Sequence, residues 1–392
     1  MAAADTVAPA LPPVFSSHSP LPSFKPQNDK LKSASNNGTT AEQHENVSFD
    51  ARRHLNFTPP SKVYTMKELG YSDDIGVSPV GVSEPFPLFS AEAIKQMRKE
   101  VLSENVLKQY RPVPVARVCF RVGSVQKGIQ YFGSSVLTGF RFAPFVYDAW
   151  KSPETLAIIS RIAGIELVPV MDWEIGHINI SVQTEEQKNK ALADEAKKTG
   201  QEDEDQLPIV DWHTDSYPFV CVLMLSDCTS MIGGETALRR GDRSIQKVRG
   251  PQMGRYIEHV ALRALGSTER ITMVTSFRPR SPALPDDTVL TTVRAVSDLS
   301  ELYFQFSEYR LEMLEERVRM KLKEIRDQKR AHRPFDTHNL KQFLIAQERF
   351  LTHMDREMVD EDKVTKGFTD DSHLLSEDLK ERSRKRVRTT VK

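Results

Sequence analysis

Cysteine is scarce in this chain, with only Cys119, Cys221 and Cys228 among 392 residues. Their placement, two of them in or beside one apolar run, builds neither a disulfide framework nor a thiolate metal site. A reducing, intracellular setting, cytoplasmic or nuclear, is the expectation. Long apolar runs are also lacking: no stretch reaches the roughly 18 apolar residues of a membrane helix. The N-terminus has no basic segment followed by an apolar core, so no standard secretion signal is expected. Net charge is absent too, since 54 basic side chains offset 54 acidic ones. That balance removes any global attraction to nucleic acid or membrane and leaves partners to be argued locally.

What is present suits a folded core with appendages. Hydrophobic residues make up 39% and charged residues 28%, while the 23 prolines gather partly at polar ends. Residues 1–60 are rich in Pro, Ser, Asn and Ala and lack hydrophobic periodicity, which predicts a disordered leader. A helix is expected after "PFPLFS", capped by Ser90 and carrying Ile94, Met97 and Val101 at helical spacing. "SPETLAIISRIAG" predicts a second, with Ser152 at the cap, Pro153 at the first helical position and Gly164 where a left-handed residue closes the helix.

Strand-like runs follow at 167–173, 176–182, 219–227, 235–240, 255–259 and 270–277, with glycine-containing turns between several of them. Their spacing suggests a β-sandwich or barrel. The charged stretch 184–206 cannot enter a core and is expected as an exposed insertion. From Asp298 the pattern turns helical. Leu311, Leu314, Val318, Leu322 and Ile325 form one stripe, and Leu340, Leu344, Leu351, Met354 and Met358 form another beyond Pro334, which predicts a helical hairpin. The tail carries the basic cluster Arg382, Arg384, Lys385, Arg386 and Arg388, either a solvated tail or a nuclear-import signal.

The chemistry concentrates in "WHTDSYPFVCVLML" (212–225). In extended backbone, residues two apart point the same way, so His213 and Asp215 can present an imidazole and a carboxylate to one point. A metal ion needs a third ligand, and His259 is the best-placed candidate. Two histidines and one carboxylate suit a non-haem Fe(II) facial triad or a zinc hydrolase. "ERITMVTSF" then discriminates, because Arg270 and Thr272 share one strand face and together suit a dicarboxylate. Tyr217 is a candidate pocket residue, although packing is the plainer reading. Asn179 is a candidate co-substrate contact, with a structural amide as its plainer reading. His177 stays outside the metal set, and Arg278 belongs near the far end of the strand from Arg270.

This pattern, His213-x-Asp215, then His259, then Arg270-x-Thr272, resembles the signature of the Fe(II)/2-oxoglutarate-dependent dioxygenases. The wording around it, including "GGETALR", "VRGPQMG" and "RITMVTSFRPRS", is similar to fungal members of that superfamily. The likeness covers about residues 140–282. It implies an α+β fold with a double-stranded β-helix (jelly roll) core, flanking N-terminal helices and the C-terminal hairpin. The expected divisions are a leader at 1–60, a dioxygenase-like domain at 61–295, a helical region at 296–362 and a polar, basic tail at 363–392.

The resemblance further implies iron on His213, Asp215 and His259. Arg270 and Thr272 would hold 2-oxoglutarate, with Tyr217 and Asn179 as further contacts. Dioxygen would be the oxidant, ascorbate a reductant, and an unidentified small molecule the substrate. Two features depart from the pattern. Only "PQMGRYIE" separates Gly250 from His259, which is short of the strand expected there and predicts a displaced His259. Residues 121–142 read as an insertion or a gene-model error. The alternatives are therefore an inactive relative serving as a binding module, or a helical interaction protein that self-associates through its C-terminal helices.

Overall fold

A computed structural model describes residues 47–392 apart from 73, 105, 107–129, 133–142, 183, 197–211, 228, 230, 249–252, 263, 266–268, 367–371 and 378–392. The chain is mixed α+β with antiparallel sheets. In order, its elements begin with helix α1 (Ala51–His54), strands β1 (Val63–Thr65) and β2 (Val80–Ser83), helix α2 (Ala91–Val101) and strand β3 (Gln130–Phe132). Helices α3 (Pro144–Lys151) and α4 (Pro153–Ala163) follow, then β4 (Leu167–Pro169), β5 (His177–Val182) and helix α5 (Glu185–Ala196). Six strands come next: β6 (Phe219–Met224), β7 (Ile232–Gly233), β8 (Thr236–Arg239), β9 (Ile245–Val248), β10 (His259–Ala261) and β11 (Ala264–Leu265). Strand β12 (Glu269–Pro279) and helices α6 (Thr291–Arg294), α7 (Leu299–Arg330) and α8 (Thr337–Glu357) complete the described elements that matter here.

The main sheet is built around β12. Strand β6 pairs along one edge of it, while β5 and then β4 pair along the other, and β3 extends the sheet beyond β5. Alternation along β12 sorts its side chains. Ile271, Met273 and Phe277 join Ile178, Ile180, Phe219 and Cys221 in the principal core, against Ala93 and Met97 of α2 and Phe145 and Trp150 of α3. Arg270, Thr272, Val274 and Ser276 therefore take the opposite face. A smaller sheet runs β10-β8-β9, and two-stranded pairs join β1 to β2 and β7 to β11. Among the described residues these sheets do not close into a barrel.

Both expected N-terminal helices form with the expected caps. Ser90 accepts a hydrogen bond from the Ala93 amide, Ser152 accepts one from the Thr155 amide, and Gly164 closes α4 at φ 70°. The expected leader is shorter than 1–60: residues 1–46 lie outside the described residues, but 47–60 pack onto the fold. His54 is buried, the Asn56 amide donates to the Leu88 carbonyl, and Phe49 and Leu55 pack against the core. Aromatic anchors thus outweigh the polar composition of this stretch.

The strand expected at 255–259 is a turn instead, with β10 beginning at His259. Side-chain bonds hold that turn: Arg255 Nε donates to the Asp287 carbonyl at 3.1 Å and the Tyr256 hydroxyl to Asp287 Oδ2 at 3.0 Å. The strand expected over 167–173 ends at Pro169, and a 3-10 turn (Asp172–Glu174) follows. Of 121–142, the described part is Gln130–Phe132, paired with β5. The charged insertion carries α5, whose described side chains are mostly exposed. The basic cluster at 382–388, Cys119 and Cys228 lie outside the described residues. No helix among the described residues is long and apolar enough to cross a membrane.

The C-terminal hairpin forms, but only part of each predicted stripe turns inward, Leu314 and Met354 packing half-buried against a second core. Leu302, Phe306, Tyr309 and Met313 of α7 enter that core with Val170, Met171, Trp173 and Tyr217. Leu311, Val318, Leu322, Leu344 and Leu351 remain exposed. Arg310, fully buried, ties the hairpin to the body. It stacks 3.8 Å from the Phe350 ring centroid, donates to the Asp286 carbonyl at 3.1 Å, and lies 3.6 Å from Asp286 Oδ2.

Candidate metal centre

His213 and His259 are joined backbone to backbone. The His213 amide donates to the His259 carbonyl at 3.0 Å and the His259 amide returns a bond at 2.9 Å. This antiparallel bridge holds the two imidazoles together, with ring centroids 4.4 Å apart. The shortened connection before His259 has therefore not displaced it. Pairing of His259 with Leu238 of β8, and the turn at 254–256, replace the strand that the sequence lacks.

Asp215 completes the set. Its Oδ1 lies 3.8 Å from His213 Nε2 and 3.5 Å from His259 Nε2, and one ligand atom from each residue falls within 4.8 Å of the others. Ligands side by side on a metal with bonds of about 2.1 Å stand about 3 Å apart, so a small closure about an ion brings these atoms into range. His259 Nδ1 is 2.9 Å from the Ile257 carbonyl, which can only accept, so Nδ1 carries the proton and Nε2 keeps its lone pair for a metal. Three protein ligands would leave the remaining coordination positions of a metal open.

The surroundings position both ligand segments. The Asp215 amide donates to the Gly254 carbonyl at 2.8 Å. A Cβ placed on Gly254 would fall 1.7 Å from Asp215 Oδ2, so the carboxylate occupies space that only glycine leaves. Next to it, the Val289 amide donates to the Ser216 carbonyl at 2.9 Å, and the Ser216 and Thr292 hydroxyls meet at 2.5 Å. Asp287 in the same stretch holds the turn before His259. Residues 286–292 thus brace both sides of the centre and are themselves braced by Arg310.

Arg270 and Thr272 lie on one face of β12, as expected. Thr272 is buried and stands opposite Asn179 of β5 in register. Asn179 shares this face, its Oδ1 is buried, and its side chain also meets His177. His177, opposite Val274, is not in the ligand cluster, and burial pushes its imidazole down to about 4. Arg278 sits at the other end of β12, bonded to the Val170 carbonyl and over the Tyr309 ring. Tyr217 is buried, and burial and the neighbouring Glu174 raise its hydroxyl well above the ordinary value.

Glu174 and Gly254 were not expected as part of the site. Glu174 is buried, and burial pushes its carboxyl up to about 8; Tyr217 and Ser276 pull it back, and the charge of Asp215 adds to the rise. Its signal in the sequence was a lone acid between Trp173 and Ile175. The raised value has a measurable consequence. The folded carboxyl keeps its proton above the ordinary value of 4.5, so its stabilising contribution is complete below that pH and is lost as pH rises through about 8. The loss is about 1.4 kcal/mol per pH unit. Glu174→Gln cannot ionise. In urea unfolding of the metal-free protein, the variant should gain on the wild type steadily between pH 5 and 8, and a constant difference would contradict the assignment.

No protein-family model and no curated protein matches the sequence.

Proposed function

We propose that this chain is an Fe(II)- and 2-oxoglutarate-dependent oxygenase that oxidises, most simply by hydroxylation, a small-molecule substrate. The observation that carries this reading is the convergence of His213, Asp215 and His259 on one point, with ligand atoms within 4.8 Å of one another. Two nitrogens and one carboxylate oxygen with open positions suit Fe(II). The main sheet and the β10-β8-β9 sheet would be the two walls of an open jelly roll. Bound iron, 2-oxoglutarate and dioxygen, with ascorbate as a reductant, would supply the oxidising power, and 2-oxoglutarate would leave as succinate and carbon dioxide.

The chain's own residues would bind and orient. Arg270 offers a planar fork for the distal carboxylate of 2-oxoglutarate, and Thr272 and Asn179 add hydrogen bonds on the same face. Tyr217 lies close to the ligand segment. Glu174, with its carboxyl pushed up to about 8, is mostly protonated at neutral pH and so places no second full negative charge beside Asp215. The buried free thiol of Cys221, pushed up to about 12 by burial, suits an intracellular reducing setting.

Arg270→Ala tests the co-substrate assignment. Loss of a charge-assisted, two-pronged contact should weaken 2-oxoglutarate binding roughly 10- to 100-fold. Calorimetry in the presence of Mn(II) measures that, with Mn(II) affinity itself expected to be unchanged. Equal 2-oxoglutarate affinity in wild type and variant would remove Arg270 from the site.

A further inference from the structure

The C-terminal hairpin leaves the body of the protein half-dressed. After Met313 no residue of α7 is buried, and in α8 only Phe350 is. Yet both helices carry apolar residues on their outer side at sevenfold spacing. In α7 these are Phe304, Leu311 and Val318, exposed by 65%, 51% and 40%; in α8 they are Leu344 and Leu351, exposed by 54% and 43%, continued by Met358 at the helix C-cap, exposed by 37%. A repeat of seven returns to nearly the same side of a helix, so each set is a continuous seam.

The two seams lie on one side of the hairpin. The helices run antiparallel, since Arg310 meets the Phe350 carbonyl, Arg317 meets Gln347 and Lys321 meets Asn339. Each seam is about a quarter-turn from this line of contact. In an antiparallel pair those quarter-turns fall on the same side. At the base the seams come together, where the Ser307 hydroxyl meets Met358 Sδ at 3.4 Å.

Charge along α7 is divided by half. Its first part carries Glu301, Glu308, Glu312, Glu315 and Glu316, with Arg310 buried against Asp286. Its second part carries Arg317, Arg319, Lys321, Lys323, Arg326, Lys329 and Arg330 against Glu324 and Asp327. Two such helices laid in parallel would set acid on acid and base on base. Laid antiparallel, each acidic half meets a basic half. A surface that is apolar along its middle and complementary to itself by reversal fits a two-fold symmetric contact.

We propose that this face binds a second copy of the chain, with the hairpins packing as an antiparallel four-helix bundle. The two-fold axis passes between Leu311 and Val318, so that Leu311 of one copy meets Val318 of the other. Glu301 and Glu308 then face the other copy's Arg319, Arg326 and Lys329. This holds whatever reaction the metal centre performs.

Sedimentation velocity on the full chain decides it. The wild type should have twice the 44.5 kDa chain mass. Leu311→Glu/Leu351→Glu, at two exposed positions, should sediment as a monomer with unchanged circular dichroism. Glu301→Lys/Glu308→Lys and Arg326→Glu/Lys329→Glu should each be monomeric alone and form a dimer when mixed. Wild-type protein that stays monomeric up to its solubility limit would overturn the proposal. So would a dimer that survives the leucine substitutions, or charge variants that fail to pair on mixing.

Discussion

His213→Ala and His259→Gln are each expected to lower affinity for Mn(II) or Co(II) by at least about 100-fold. Loss of a residue that only orients a ligand typically costs 10- to 100-fold, and these histidines are proposed to supply the donor atoms themselves. The choice of replacement matters. Both side chains are largely buried, 12% exposed at His213 and 6% at His259, so each change costs some packing; His213 stands nearer the surface, and His259 is better replaced by a side chain of similar length. The bridge between the two residues uses backbone groups and survives both changes. The variants should therefore unfold close to the wild-type temperature without metal and fail to gain stability with it. Metal affinity within a few-fold of wild type in either variant would show that the cluster is not the binding site.

Gly254→Ala is expected to be nearly as damaging, although the change is a single methyl group 39 residues along the chain from Asp215, the ligand it disturbs. The added carbon would fall 1.7 Å from Asp215 Oδ2 and 2.6 Å from its Cγ. Backbone retreat is opposed by the bond from the Asp215 amide to the Gly254 carbonyl. The carboxylate must rotate away, which removes one of three ligands, and the strained packing should cost roughly 1–3 kcal/mol of stability. Pairing the change with Asp215→Ala separates the two effects. The double variant should recover most of the lost stability, because the clash has no partner, while metal binding stays lost. Stability losses that simply add would refute the contact.

How far the sequence could anticipate this structure depended on the range of the interactions involved. Helices α2 and α4 were legible because their caps are local: Ser90, Ser152, Pro153 and Gly164 act within a few residues of where they sit. Strand β12 was legible from its alternation, which also assigned Arg270 and Thr272 to the face opposite Ile271 and Met273. His213 and Asp215 were legible from their spacing. What brings His259 to them was not, since the bridge to His213 and the turn held by Asp287 join distant segments. The same reason hid Gly254, whose role exists only through Asp215.

The hairpin was misjudged in an instructive way. Period alone cannot say which of two apolar sides a helix turns inward. The aromatic-rich side of α7, with Phe306 and Tyr309, is buried against Trp173 and Tyr217, and most of the leucine stripe, Leu314 apart, is left outside. Residues 47–60 were misjudged because composition averages over a stretch in which a few residues, Phe49, His54 and Leu55, supply the anchoring contacts.

The most direct test of the account is the melting temperature of the purified protein with Mn(II), with and without 2-oxoglutarate, in wild type and Arg270→Ala. Ligands that bind only the folded chain raise it by mass action. The account predicts a rise with Mn(II) alone, a further rise with 2-oxoglutarate that requires the metal, and loss of that second rise in Arg270→Ala. A well-folded wild-type protein whose melting temperature ignores both ligands would contradict it.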